Sequence, residues 1–159
     1  MTQRIAFFLF TLVAANYACK KTDNALSGQL QEYVNTFTKV NADLQTATTE
    51  IGEVKKMLNA GPSAAVKDTT ELHNLKQRLQ MISNRVTVRT VEYADILKKM
   101  QELSSGYNAG KFNTEQVNRE IKLFGDRLKG APDFTQGVLQ GLSDIKMNAL
   151  KLTGDGQIQ

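Results

Sequence analysis

Apolar residues recur with heptad spacing along the first third of the chain. Between residues 26 and 58 they follow one another at alternating intervals of four and three residues. Such spacing places one apolar stripe on one face of an α-helix, as in helices that pack side by side. It predicts a first long helix, which ends at Gly61-Pro62 because Pro62 disfavours helical backbone at the residue before it. The stripe comprises Leu26, Leu30, Tyr33, Phe37, Val40, Leu44, Ala47, Ile51, Val54 and Leu58.

A second amphipathic helix is predicted after a short connection. Asp68 and Glu71 have the D-x-x-E spacing of a capping box, which indicates that this helix begins at Asp68. Two glycines between residues 104 and 110 predict its end, because glycine has low helix propensity. Its apolar stripe comprises Leu72, Leu75, Leu79, Ile82, Val86, Tyr93, Ile96, Met100, Leu103 and Tyr107.

One residue interrupts the stripe of the second helix. Arg89 takes a stripe position inside a run of β-branched residues, which have weak helix propensity. On one interpretation, its long stem covers the edge of the stripe and its guanidinium group reaches solvent or pairs with a carboxylate such as Glu50 or Glu53. On the other, Arg89 forms a buried ion pair or binds a ligand. Arg89 is therefore a candidate ion-pair or partner-binding residue.

Two shorter helices are predicted in the last third of the chain. Asn113 and Gln116 have capping spacing, so the third helix begins at Asn113. The segment Gly130-Ala131-Pro132 predicts its end, and Asp133 begins a fourth helix. The two apolar stripes comprise Val117, Ile121, Phe124 and Leu128, then Phe134, Val138, Leu142, Ile145, Ala149 and Leu152.

These helices together predict an all-α fold. Two long helices and a third column of two shorter helices have similar lengths, and they predict an elongated antiparallel bundle over residues 25–153. Gly137 and Gly141 have the small-xxx-small spacing that lets helix backbones approach closely, so they predict a tight helix crossing. Residues 154–159 are predicted to form a flexible tail.

The N-terminal segment has the pattern of a secretory signal. Arg4 precedes an apolar stretch over residues 5–15, which is too short to span a bilayer. The cysteine at position 19 follows Ala18, and the segment resembles a bacterial lipoprotein signal, in which a small residue precedes a lipidated cysteine. This resemblance implies that residues 1–18 are a signal peptide, that Cys19 carries a lipid, and that residues 19–24 tether the bundle to a membrane.

Ordinary signal-peptidase cleavage after Ala15 is the alternative. Lipoprotein signals usually carry leucine and a small residue where this chain has Asn16 and Tyr17. Cleavage after Ala15 would release a secreted protein with one free thiol, because Cys19 is the only cysteine. No disulfide within the chain is possible, so packing must stabilise the fold.

Charge and motif content argue against several classes of function. The chain has 20 basic and 16 acidic residues, a formal net charge of +4, and the basic residues are not concentrated into the stripe that nucleic acid requires. His73 is the only histidine, and its helical neighbours are not metal ligands. No phosphate loop or nucleophile elbow occurs. We therefore expect no catalysis, no cofactor, no metal and no nucleic-acid partner.

The expected function is a non-catalytic helical scaffold or adaptor of a bacterial cell envelope. At the level of class, the chain resembles small all-helical lipoproteins and secreted helical subunits of bacterial envelopes. The resemblance implies a monomer, lipid-anchored at the outer membrane or cell surface, that binds a protein partner in the envelope or on a host surface. The alternatives are a secreted or periplasmic amphipathic protein that binds lipid or perturbs membranes, and a ligand carrier.

Overall fold

Three α-helices make up the described part of the protein. The computed structural model describes residues 23–60 and 69–153, and it contains α1 (Asn24–Asn59), α2 (Thr70–Asn108) and α3 (Thr114–Thr153). No strand occurs in these two ranges, so the predicted all-α fold is confirmed. The predicted signal peptide, Cys19, the Asp68 cap and the tail 154–159 lie outside the described residues.

The heptad stripe of α1 forms one wall of the core. The carboxylate of Asp23 caps the helix by accepting the Ala25 N–H at 2.9 Å, which satisfies a donor that has no partner within the helix. All stripe residues are buried except Tyr33 and Ile51, which are half-buried against the core. The heptad prediction for α1 is therefore confirmed, and the helix ends at Asn59, close to the predicted stop.

Only one of the two glycines near the end of α2 lies at the helix end. The helix runs through Gly106 to Asn108, and Gly110 follows with a φ of 69°. Gly106 and Tyr107 are both buried. Burial of this last turn offsets the low propensity of glycine, which is worth only about 1 kcal/mol. Of these two glycines, only Gly110 has the positive φ that favours glycine.

The break predicted in the third column lies at another residue. The capping prediction for α3 is confirmed, because the backbone N–H and side chain of Asn113 exchange hydrogen bonds with Gln116, each 2.9 Å long. The helix then continues through 130–132, with Pro132 inside it, and departs from helical angles at Gly125, where φ is 28° and ψ is −106°. Ala131 is fully buried, so continuing the helix through this segment keeps its apolar side in the core.

The helices run up, down and up. The Tyr107 hydroxyl at the end of α2 accepts the N–H of Asp23 at 2.9 Å and lies 3.2 Å from Oγ1 of Thr114, so the starts of α1 and α3 lie at the same end. Further along, Lys146 of α3 pairs with Glu53 of α1 at 3.2 Å. α1 and α3 are therefore parallel, and α2 is antiparallel to both.

One aromatic residue from each helix meets in the middle of the core. The rings of Phe37 and Tyr93 have centroids 5.6 Å apart, and those of Tyr93 and Phe134 have centroids 6.1 Å apart. Both pairs are edge-to-face, the arrangement that aromatic quadrupoles favour. Phe37 and Tyr93 are buried, whereas Phe134 is only half-buried, so this aromatic layer reaches the surface between α2 and α3.

We expect Gly106→Ala to destabilise the protein. A Cβ at position 106 would lie 2.5 Å from Cδ2 of Phe112, so the ring must move or the last turn of α2 must shift. Such overpacking costs about 1–3 kcal/mol. Denaturant unfolding monitored by circular dichroism measures the change in the free energy of unfolding, and truncation of the ring by Phe112→Ala should reduce the effect of Gly106→Ala.

Gly52→Ala is the matched control. Gly52 lies inside α1, and a Cβ there would meet no described atom within 4 Å. The substitution removes the low helix propensity of glycine and should stabilise the protein by about 0.5–1 kcal/mol. Equal stabilisation by alanine at both glycines would contradict the packing of Phe112 over Gly106.

Candidate functional site

Two arginine side chains cover the exposed end of the aromatic layer. Cζ of Arg85 lies 5.5 Å from the ring centroid of Phe134, and Cζ of Arg89 lies 5.8 Å from the ring centroids of both Phe134 and Tyr93. Cations are attracted to ring faces at these distances. Arg85 and Arg89 are one helical turn apart on α2, so both side chains reach the same ring of α3.

The carboxylate of Glu92 pairs with two guanidinium groups at this site. Glu92 accepts a hydrogen bond from Arg89 on its own helix, and its other oxygen lies 3.0 Å from Nε of Arg127 on α3. The hydrogen bond and negative charge of Glu92 raise the pKa of Arg89 above its ordinary value. Arg85, Arg89 and Arg127 carry three positive charges against one on Glu92, an excess of two. The arginine–aromatic cluster comprises Arg85, Arg89, Glu92, Tyr93, Arg127 and Phe134.

Arg89 lies at the edge of the bundle and pairs away from α1. Its side chain is 42% exposed, and its partner is Glu92 rather than Glu50 or Glu53. Glu53 pairs with Lys146 instead. Spacing along α2 placed Arg89 in the core stripe, but the guanidinium group turns towards α3, where the Phe134 ring and Glu92 attract it.

Tyr93 is the titratable group that burial affects most clearly in this cluster. Burial raises the pKa of the Tyr93 hydroxyl because it disfavours the charged phenolate. The positive charges of Arg89 and Arg127 act in the opposite direction, and the charge of Glu92 adds to the rise. The balance keeps Tyr93 neutral to higher pH than an ordinary tyrosine.

A second row of residues runs along the outward face of α2 next to the cluster. Its members follow one another at intervals of three and four residues, which places them in one line on a helix. Met81 is 60% exposed and Val88 is 65% exposed, and Val91, three residues later, is 64% exposed. Exposed apolar side chains mark a contact surface when they lie together in one patch, as Val88 and Val91 do on this face. The outer stripe comprises Arg78, Met81, Arg85, Val88 and Glu92.

The two glycines of the predicted tight crossing have different surroundings. A Cβ at Gly141 would lie 3.1 Å from Cδ1 of Ile82, so α3 approaches a side chain of α2 there. Gly137 is exposed, and a Cβ at that position would meet no described atom within 4 Å. The close approach in the described structure therefore involves Gly141 alone, and α3 presents no side chain at Gly137.

Two of the larger depressions in the described structure lie beside α3. A groove of about 780 Å³ separates α1 from α3, with Val40 and Leu139 among its lining residues. A hollow of about 460 Å³ between α2 and α3 is lined by Arg78, Met81 and Asn148, among others. The second depression adjoins the outer stripe, so the surface there is concave as well as partly apolar.

The sequence predicts Arg89 as a candidate binding residue of this site, but it predicts Tyr93 and Phe134 only as core residues. Arg89 was recognised because it interrupts the core stripe, whereas Arg85 and Glu92 belong to a second stripe that mixes charged and apolar residues. The spacing of that stripe was a usable signal. Arg127 had no local signal, because its place opposite Glu92 depends on how α3 packs against α2.

The described residues contain neither a metal-ligand cluster nor a membrane-spanning helix. No group of three or more His, Cys, Asp or Glu residues in ranges 23–60 and 69–153 could hold a metal ion. His73 is exposed and lies 3.0 Å from the amide nitrogen of Gln77. None of the described helices combines the length and apolarity that crossing a membrane requires. Comparison of the chain with protein-family models, curated proteins and solved structures found no match.

We expect Tyr93→Phe to alter how stability depends on pH. Because the pKa of Tyr93 is raised in the folded state, its contribution is complete below the unfolded pKa of about 10 and is lost as pH rises through the folded pKa. Tyr93→Phe keeps the ring, so stability near pH 7 should change by less than about 1 kcal/mol. At alkaline pH the Tyr93→Phe variant should lose less stability than the wild type loses. Identical alkaline profiles in denaturant titrations would contradict this account of Tyr93.

Proposed function

We propose that this protein is a non-catalytic adaptor of a bacterial cell envelope, anchored by a lipid on Cys19, that holds a protein partner. The observation that carries the proposal is the exposure of Met81 and Val88 beside Arg85 and the half-buried ring of Phe134. Interface cores are enriched in Arg, Met and aromatic residues, and such residues supply most of the binding energy. The partner-binding surface of the proposal is the outer stripe together with the arginine–aromatic cluster.

The position of this surface suits a tethered adaptor. Cys19 precedes Asp23 by four positions, a reach of at most about 14 Å, so a lipid on Cys19 would hold the Asp23 end of the bundle near the bilayer. Val88 precedes the end of α2 at Asn108 by 20 residues, or about 30 Å of helix. In the proposed arrangement the outer stripe therefore stands clear of the lipid headgroups.

We also propose the finer architecture of two long helices with a third column built from two helical segments. The support is the backbone of Gly125, whose φ of 28° and ψ of −106° interrupt the helical angles of α3. The capped segment that begins after Asn113 then covers the tethered end of the bundle. The segment after Gly125 carries Arg127 and Phe134 to the partner-binding surface.

A membrane-active or lipid-binding secreted protein is the second candidate. Leu123 and Met147 of α3 are also exposed, and they add apolar surface that lipid could cover. The large apolar stripes, however, face one another in the core. Only an opened bundle would present them to a bilayer, so this candidate requires a conformational change that the adaptor does not.

We expect the anchor to depend on Cys19. The wild-type protein should partition into the detergent phase, whereas Cys19→Ala should be recovered in the aqueous phase or remain uncleaved, because no thiol is available for the lipid. Recovery of the wild type in the aqueous phase with Asn16 as its N-terminal residue would indicate ordinary cleavage after Ala15.

The membrane-active candidate is tested separately with unlipidated protein, which should cause no leakage from dye-loaded vesicles. Leakage would favour the membrane-active candidate.

We expect a photo-crosslinking residue at Val88 to capture a protein in intact cells. The same residue at Gln45, which is exposed on α1, is the matched control and should give no discrete product. Gel electrophoresis followed by mass spectrometry identifies the product at Val88. Crosslinking from Gln45 but not from Val88 would place the partner on another face, and absence of protein products at both positions would count against an adaptor.

A further inference from the structure

Two of the basic residues of α2, Arg78 and Arg85, lie on the outer stripe. Between Glu71 and Glu92 the helix carries four basic residues, Lys76, Arg78, Arg85 and Arg89, and no acidic residue. Glu92 already accepts from Arg89 and Arg127. Within the described residues no carboxylate lies at ion-pair distance from Arg78 or Arg85. Within the described part of the chain, the guanidinium groups of Arg78 and Arg85 are therefore available to carboxylates of another molecule.

The apolar residues of the stripe are spaced for another helix. Met81 and Val88 are seven residues apart, with Arg85 between them at intervals of four and three residues. A row with this spacing packs against the ridges of a second helix. From Arg78 to Glu92 the stripe extends about 21 Å, which corresponds to a helix of about 15 residues.

We propose that the partner presents an acidic amphipathic α-helix, which lies along the outer stripe with its apolar side on Met81 and Val88 and its carboxylates on Arg78 and Arg85. This inference rests on the proposed adaptor function and names the chemistry of its partner. Arg side chains pair with carboxylates through two parallel hydrogen bonds, so they favour an acidic segment over a neutral one.

The apolar row is too narrow for a bilayer to be the favoured occupant. Met81 and Val88 form one row, and of the described residues only Val91 adds a further exposed apolar side chain beside it. Asn84, one turn before Val88, and the adjacent Thr87 are exposed and polar. Helices that lie in the membrane interface bury a broad apolar face instead. A helix seam, in contrast, needs only one row of apolar residues.

The proposal is tested with a designed peptide of about 20 residues that has leucine at heptad a and d positions and glutamate at e and g. A matched peptide has lysine in place of glutamate. Binding to the unlipidated Cys19→Ala chain is followed by fluorescence anisotropy. The glutamate peptide should bind at least about ten-fold more tightly than the lysine peptide, and its affinity should fall as salt is raised.

Matched substitutions locate the binding. Arg85→Gln and Met81→Ala should each weaken binding of the glutamate peptide by about five-fold or more. Arg119→Gln and Met147→Ala change exposed residues of α3 and should leave the affinity unchanged. Circular dichroism of every variant shows whether the fold is intact. Equal binding of the two peptides, or equal effects of the α2 and α3 substitutions, would overturn the proposal.

Two further outcomes would assign the surface to another occupant. Binding to anionic vesicles that Arg85→Gln and Met81→Ala abolish, without binding of the glutamate peptide, would replace the helix with a lipid surface. Dimerisation in sedimentation experiments that the same substitutions abolish would replace it with a second copy of the chain. Protein crosslinks from Val88 in cells without peptide binding would overturn the acidic helix and leave the adaptor function standing.

Discussion

The contact among Phe37, Tyr93 and Phe134 sets the register on which the rest of the bundle depends. Heptad stripes repeat about every 10.5 Å along a helix, so apolar patterning alone would tolerate a slip of one heptad between neighbours. One ring from each helix meets in a single layer, with interplanar angles of 84° and 83°. A slip would place these rings against smaller side chains and leave voids elsewhere. The amide of Asn41 adds a polar constraint by donating to the carbonyl of Tyr93 at 3.3 Å.

The surface chemistry follows from the same register. Because Phe134 lies beside Tyr93, its outer part is available to the guanidinium groups of Arg85 and Arg89. The register also places Arg127 opposite Glu92. α2 thus has two rows with the same period but different roles. The inner row packs into the core, and the outer row alternates Arg with exposed apolar residues.

The sequence predicted the elements that depend on local spacing and capping. The core stripe of α1 and the Asn113 cap of α3 are both present, because heptad burial and capping depend on neighbours within one helix. The sequence was less informative where contacts between helices determine the local backbone conformation. Gly106 stays helical beneath Phe112, and the departure from helical angles falls at Gly125 instead of at Pro132. The candidate site was predictable only at Arg89, because its remaining contacts join α2 to α3.

The hydrogen bonds of Tyr107 determine how a pulling force would pass through the proposed adaptor. Tension from a partner on α2 would run along that helix to Tyr107 and cross to Asp23, where the tethered chain enters α1. The opposite ends of these two helices, at Asn59 and Thr70, lie outside this path. Because α1 and α2 lie side by side, the load would act parallel to their contact. Core contacts along the two helices would then share the load in shear, whereas peeling would break them one at a time.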